Sequence, residues 1–350
     1  MDGPRMGCRG PVPPFYNRRA AMNALVFQAV GQPLRLEERP SPRPSAGEAV
    51  VRLRAAALNR RDHWITQGQY PGLRPGVVLG SDGAGVVTET GEGVDPSWRG
   101  REVVINPGLG WGDDPAAQAE RFQILGMPRD GTFAAEVAVP AAQLHAKPAH
   151  LAWPQAAALP LAGVTAWRAV LTQGGLKPGE TVLVTGIGGG VAGLALQFAV
   201  AAGATAWVTS SSPEKIRRAV ELGAAGGFDY REPGWAKRLA APPALIVDGS
   251  GGAGYGTLLQ AAARGGRIVS YGATAGPPEK LELSKVFWKQ LRLQGSTMGS
   301  PADFAAMMAF VERHRIAPAV DGVFPLAEGP RALDRMARSE QFGKIVLETA

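Results

Sequence analysis

TVLVTGIGGGVAGLALQFAVAAGA, residues 181–204, decides the fold of this 350-residue chain. Residues 181–185 are a short β-branched run, the pattern of a strand buried on both faces. Gly186, Gly188, Gly189 and Gly190 follow at once, and a small-residue helical pattern then runs to Gly203. A strand that turns through glycines into a helix leaves unpaired N–H groups at the positive end of the helix dipole, where a pyrophosphate binds. Glycine serves there because a Cβ would hold the phosphate off the backbone. The spacing departs from the usual fingerprint, with Ala192 at its last glycine position. Gly186, Gly188, Gly189, Gly190 and Val191 are thus the first candidate cofactor contacts, against the plainer reading of a Gly-rich turn.

The next hundred residues favour the cofactor. A second strand is expected at 206–209, ending in Ser210-Ser211-Ser212. Ser212 caps a helix that has Pro213 in its first turn and Gly223 just past its end. Further strands are expected at 226–229, 245–248, 267–271 and 291–295. Helical segments lie around Ala236 and over 255–264 and 284–290. Six strands alternating with helices predict an α/β fold, a Rossmann doubly wound parallel sheet. An acidic residue ending the second strand would hold the ribose hydroxyls of NAD. This chain has Ser210 and Ser211 instead, with Lys215 one helical turn on and Tyr230-Arg231 after the third strand. Hydroxyls and cations suit a 2′-phosphate, each charge-assisted bond contributing about 1.5–3 kcal/mol, so NADPH is the expected cofactor. Ser250 ends the fourth strand, and Gly272 and Ala273 the fifth, at the sheet edge where a nicotinamide would lie.

Residues 23–146 have another texture. Val51, Leu53 and Ala55 alternate with Arg52 and Arg54, a half-buried strand, and short β runs recur at 76–90, 101–106 and 132–139. Residues 323–325 and 344–348 read as strands again. A β-rich domain interrupted by the dinucleotide domain, with the C-terminal end returning to it, fits a chain of this length.

The formal charge of +7 raises a nucleic-acid reading. Arg5, Arg9, Arg18 and Arg19 against Asp2 put +3 of it in residues 1–21, expected to be a flexible leader and not a secretory signal. The remainder suits an anionic cofactor, and no run reaches the length of a membrane span. The single cysteine, Cys8, fits a reducing compartment, and cytoplasm is the simplest assignment.

Seven stretches carry a resemblance: ALNRRDHW (57–64), VLGSDGAGVV (78–87), AAALPLAGVTAW (156–167), the glycine loop, YGATAG (271–276), GSTMGS (295–300) and QFGKIVL (341–347). In this order, and covering almost everything from Met22 on, the chain resembles the medium-chain dehydrogenase/reductase superfamily in its zinc-independent, quinone oxidoreductase-like branch. The resemblance implies a GroES-like catalytic domain at 22–146, a Rossmann NADP-binding domain at 147–317 and a return segment at 318–350. An active cleft would lie between the two domains. MNALVF at Met22 looks like the family's usual start. Thr165 resembles the family threonine that contacts the nicotinamide, and Lys344 a family lysine that reaches toward the cofactor. The last strand of the sheet, with Leu291 and Leu293, would pair with a second subunit in a homodimer.

Zinc enzymes of that family hold catalytic zinc with a cysteine, a histidine beside an acid, and a third cysteine or acid. The corresponding places here resemble Asn59, the Ser81-Asp82 pair and Leu161, and residues 107–126 lack the four cysteines of the structural-zinc lobe. His63, His145, His150 and His314 are scattered, so no zinc is expected. Without a Lewis acid, alcohol oxidation near neutral pH is hard. A quinone or an α,β-unsaturated carbonyl still accepts hydride, helped by one hydrogen bond to its oxygen. Asn59 is the candidate donor to that oxygen, or a nicotinamide contact, and Tyr70 a candidate proton donor. Asp62 and Asp82 read as structural, and His63 as a rim residue. The expected activity is NADPH-dependent reduction of a quinone or enone. A zinc-type alcohol dehydrogenase-like enzyme and a non-catalytic NADPH-binding protein remain as alternatives.

Overall fold

Six parallel strands form the sheet that the glycine stretch begins. Their spatial order is Gly226–Phe228, Thr205–Thr209, Thr181–Val184, Leu245–Asp248, Arg267–Ser270 and Arg292–Gly295. In sequence terms this is 3-2-1-4-5-6, the doubly wound order whose strand direction of growth reverses at the glycine strand. Val182, Leu183 and Val184 are fully buried, as helices on both faces require. The helix Pro213–Glu221 starts at Ser212, whose hydroxyl accepts from the Lys215 N–H at 3.3 Å. The last strand begins at Arg292, one residue later than expected, because Leu291 turns into the core while Arg292–Gly295 lies exposed on the sheet edge.

The computed structural model describes residues 20–349. Cys8 and the expected leader up to residue 19 lie outside the described residues, and Ala21 already opens the strand Ala21–Phe27. A seven-stranded sheet dominates the β-rich part. Within it Lys344–Glu348 pairs antiparallel with Glu48–Ala57 and parallel with Val320–Pro325, so the chain's end sits inside the sheet its beginning builds. This last strand also starts against the glycine loop: the Gly343 N–H donates to the Gly188 carbonyl at 2.9 Å. Gly343 has φ +97° and a Cβ there would collide with the Ala319 carbonyl, so only glycine makes this join. No helix among the described residues is long and apolar enough to cross a membrane.

Candidate active site

A cleft of about 940 Å³ runs between the two parts of the chain at the carboxyl ends of the parallel strands. Sequence-predicted residues Gly186, Gly188, Gly189, Gly190, Val191, Ser210, Ser211, Lys215, Tyr230 and Ser250 line it, as do Asn59 and Lys344. Thr165, Tyr70, Gly272 and Ala273 do not. Thr165 is packed away, its hydroxyl donating to the Leu161 carbonyl at 2.7 Å and lying against the Met298 sulfur. Tyr70 stacks under the Arg61 guanidinium and its hydroxyl accepts from Arg61 Nε at 3.3 Å, so it does not reach the cleft as a proton donor. At the fifth strand the lining residues are Tyr271, Thr274 and Ala275, on either side of Gly272 and Ala273.

The cofactor side is built as a helix start. Gly189 caps the helix Gly190–Ala201, and a Cβ on Gly189 would meet nothing within 4 Å, leaving open room over the first N–H groups. Its neighbours are crossed by lysines. A Cβ on Gly188 would stand 2.7 Å from Lys215 Cδ, and one on Gly190 2.5 Å from Lys344 Cδ. The glycines therefore make way for side chains as well as for a phosphate. Asp248 braces the loop, accepting from Thr185 Oγ1 at 2.6 Å and from the Ser250 and Gly251 N–H groups.

Lys215 Nζ donates to the Ser339 carbonyl at 2.7 Å, and Arg60 to Ser339 Oγ at 3.1 Å and the Met336 carbonyl at 3.0 Å. Burial draws the Lys215 ammonium below its ordinary range, Asp321 opposes this, and Arg60, Arg218 and Arg335 add to it. Arg231 pairs with Asp229 at 2.6 Å and donates to the Ser211 carbonyl at 2.7 Å. Cations crowded around two serines make a pocket that an anion would relieve. Arg60 was not singled out in the sequence. Its signal was position: it follows Asn59 at the start of the helix Arg60–Thr66, facing the loop from the other side of the cleft.

The opposite wall holds the charged centre. Lys344 Nζ donates to Asn59 Oδ1 at 2.6 Å and to Asp82 Oδ2 at 2.8 Å, and Asn59 Nδ2 donates to the same Asp82 oxygen at 2.9 Å. Asp82 Oδ1 accepts from the Leu161 N–H at 2.7 Å. Asp82 is thus a full member of this centre, not an isolated carboxylate, and Lys344 reaches across Gly190 to Asn59 and Asp82. The Asn59 amide is committed on both of its ends to protein groups. Asp62 keeps the expected capping role, accepting from the Asn59 N–H at 2.8 Å. Its carboxyl is fully buried, and burial pushes it up to about 6 despite Arg61, the Asn59 N–H and Lys344. His63 lines the cleft, with burial and then Arg60 drawing its imidazole below the ordinary value.

Among the described residues no three His, Cys, Asp or Glu side chains converge as a metal-ligating group. Asn59, Ser81, Asp82 and Leu161 do not supply a zinc donor set. The Ser81 hydroxyl is taken by Arg61 Nη1 at 2.7 Å and by the Leu125 carbonyl at 2.8 Å. In the region 107–126 an arginine holds the chain. Arg168, buried and paired with Asp303 at 2.6 Å, donates to the Pro115 and Ala116 carbonyls and lies over the Trp111 ring.

Residues 45–149 match the family described as alcohol dehydrogenase GroES-like domain, and residues 190–313 that described as zinc-binding dehydrogenase. The zinc-type alcohol dehydrogenase-like protein YogA of Leptosphaeria maculans is 37% identical over 90% of this chain and 94% of its own length. The acryloyl-coenzyme A reductase of Sulfurisphaera tokodaii is 27% identical, over 93% of this chain and all of its own. The crystal structure of an NAD-dependent alcohol dehydrogenase superposes with a TM-score of 0.90 at 39% identity, covering 94% of this chain and 100% of that one. With its GroES-like sheet, its Rossmann sheet and a nicotinamide-type cleft between them, the chain belongs to the medium-chain dehydrogenase/reductase superfamily of oxidoreductases.

Proposed function

We propose that the protein is a zinc-independent, NADPH-dependent reductase of quinones or α,β-unsaturated carbonyls, from the quinone oxidoreductase-like branch and acting in the cytoplasm. The observation that carries this reading is what stands at the places corresponding to the zinc ligands: Asn59 is tied to Asp82 and to the Lys344 ammonium, Ser81 to Arg61 and the Leu125 carbonyl, and the third is Leu161. Such a centre does not lower an alcohol's pKa as a Lewis acid does. It suits an acceptor that is already electrophilic and needs only orientation and exclusion of water. When bound, the reduced nicotinamide supplies the hydride. The residues over it do the holding: the N–H groups after Gly189 take the pyrophosphate, and Ser210, Ser211, Lys215 and Tyr230 surround the adenosine phosphate. The name of the acryloyl-coenzyme A reductase relative supports reduction of a conjugated double bond.

The second reading, zinc-dependent alcohol oxidation, is favoured by the names of the YogA relative and of the NAD-dependent structural neighbour. One experiment separates the two. A panel of quinones, enones, aldehydes and alcohols is assayed with NADPH and NADH while metal content is measured. Turnover of quinones or enones with NADPH, under one zinc per chain and no effect of a chelator is the expected result. Stoichiometric zinc with chelator-sensitive alcohol oxidation would overturn it, and NADPH binding without turnover would favour a non-catalytic role.

A further inference from the structure

Tyr271 follows the fifth strand of the parallel sheet, Arg267–Ser270, and its ring leans back over the end of the fourth. A Cβ on Gly249, which follows the fourth strand Leu245–Asp248, would stand 2.4 Å from Tyr271 Cζ and 2.5 Å from the hydroxyl oxygen. Gly249 is not at positive φ, so it is the ring and not the backbone that asks for glycine here. The two strand ends are tied together. The Tyr271 N–H donates to the Asp248 carbonyl at 2.9 Å, and Thr274 donates to the Gly249 carbonyl from its N–H and its hydroxyl, both at 3.2 Å. The Tyr271 ring packs on the core while the residue lines the cleft. Among the described residues its hydroxyl has no hydrogen-bond partner. The neighbouring Asp248 carboxylate is already taken by the Thr185 hydroxyl and the Ser250 and Gly251 N–H groups. Burial, and then Asp248, pushes the phenol above its ordinary range, so it keeps its proton.

The strand order says what that hydroxyl faces. The fourth strand is the neighbour of the glycine strand, and the fifth lies beyond it. A dinucleotide binds across the crevice where the order reverses. With its pyrophosphate at the helix start after Gly189 and its adenosine toward Ser210 and Lys215, the other half must cross the end of the fourth strand, over Gly249. The first group beyond the pyrophosphate on that side is a ribose. Resting on the cofactor part of the reductase reading above, we propose that Tyr271 is a cofactor-binding residue whose hydroxyl hydrogen-bonds a hydroxyl of the ribose that carries the nicotinamide. A ribose hydroxyl donates and accepts, as a phenol does. A phosphate only accepts, and the N–H groups of the glycine loop already serve it. Gly249 keeps open the space in which the ring stands, and the packed ring holds the hydroxyl in place before the cofactor arrives.

The test uses the full-length protein and ligands of increasing length. Adenosine 2′,5′-bisphosphate ends at the first phosphate, 2′-phospho-ADP-ribose adds the second phosphate and the second ribose, and NADPH is complete. Calorimetric titration gives the affinities, and thermal melting the stability. Tyr271→Phe, which loses only the hydroxyl, is expected to melt and bind the bisphosphate as the wild type does. It should lose about three- to tenfold in affinity for both longer ligands, as the loss of one hydrogen bond predicts. Gly249→Ala should lower the melting temperature of the wild type and leave that of Tyr271→Ala unchanged, because the clash goes with the ring. Unchanged affinity of Tyr271→Phe for 2′-phospho-ADP-ribose and NADPH would overturn the assignment. An equal loss for the bisphosphate would also overturn it, by placing the hydroxyl on the adenosine side, and so would a Gly249→Ala penalty that persists without the ring. If NADH binds more tightly than NADPH, the series AMP, ADP-ribose and NADH decides on Tyr271 in the same way. A wild type that binds neither dinucleotide would sink the cofactor reading and this assignment with it. One that binds NADPH but reduces no acceptor would sink only the reductase reading.

Discussion

The Cδ of Lys344 lies where a side chain on Gly190 would begin, 2.5 Å from an ideal Cβ. Lys344 cannot swing aside, because its ammonium is anchored on Asn59 and Asp82. Gly190→Ala should therefore destabilise the protein by about 1–3 kcal/mol, as overpacking does. In a double-mutant cycle with Lys344→Ala the two costs should not add, since the clash is counted once. Gly189→Ala is the control: its φ is −81° and its Cβ space is open, so it should melt as the wild type and lose only cofactor affinity. Chemical denaturation and NADPH titration read both effects; additive costs in the cycle would refute the packing argument.

NADPH should bind more tightly than NADH. Lys215→Glu should narrow or invert the gap, because it sets a carboxylate among Ser210, Ser211 and Arg231. Loss of one charge-assisted contact of about 1.5–3 kcal/mol corresponds to about ten- to a hundredfold in affinity. Fluorescence titration of both cofactors checks it, and equal wild-type affinities would remove the basis for the phosphate assignment.

A homodimer is expected through the sheet edge. Arg292–Gly295 is exposed along its length with Leu293 38% accessible, and Leu283, Phe287 and Trp288 stand out on the preceding helix, Leu283–Lys289. An open edge beside bare apolar side chains invites a second copy. Leu293→Pro removes a ladder N–H and should shift the equilibrium toward monomer. Light scattering at micromolar concentration is the measurement, and a stable wild-type monomer would contradict the edge assignment.

Asp62 makes a pH prediction. Its folded-state carboxyl titrates at about 6, above the ordinary 3.8, because burial disfavours the charge. The folded state thus holds that proton more firmly than the unfolded chain does. The resulting stability is complete below the ordinary carboxylate range and is lost as the pH rises to about 6. Between pH 4 and 7 this group should cost the wild type about 1–3 kcal/mol. Asp62→Asn, which has no titrating proton, should lack that part of the slope in denaturation curves across the same range. Identical slopes would refute the assignment.

What the sequence made legible was local. The strand–glycine–helix stretch, the Ser212 cap and the six-strand alternation depend on neighbours within a turn or two, and they stand where the periodicities put them. The charged centre was not local, as Asn59 and Lys344 are 285 residues apart and Asp82 and Lys344 are 262 apart. Two signals pointed there: a lysine heading the apolar strand of QFGKIVL, and an aspartate in the small-residue run GSDGAG. Each asks for a buried partner, and each is the other's. Thr165 and Tyr70 lie off the cleft lining for one reason. Helix rotation and ring packing decide which way a side chain faces, and Thr165 turned back onto Leu161 while Arg61 claimed the Tyr70 hydroxyl.

The join between Gly343 and Gly188 orders the birth of the site in time. As the chain leaves the ribosome, the Rossmann strands are complete by Gly295, yet the loop among them still lacks its neighbour at Gly343. Asn59 and Asp82 meet their cation only once Lys344 has been made, 285 and 262 residues after them in the sequence. A nascent chain or a truncation ending before Gly343 therefore has the parallel sheet but leaves Asn59 and Asp82 without their cation. In this fold the returning strand acts as the closing stitch, joined at once to the glycine loop and to the strand Glu48–Ala57.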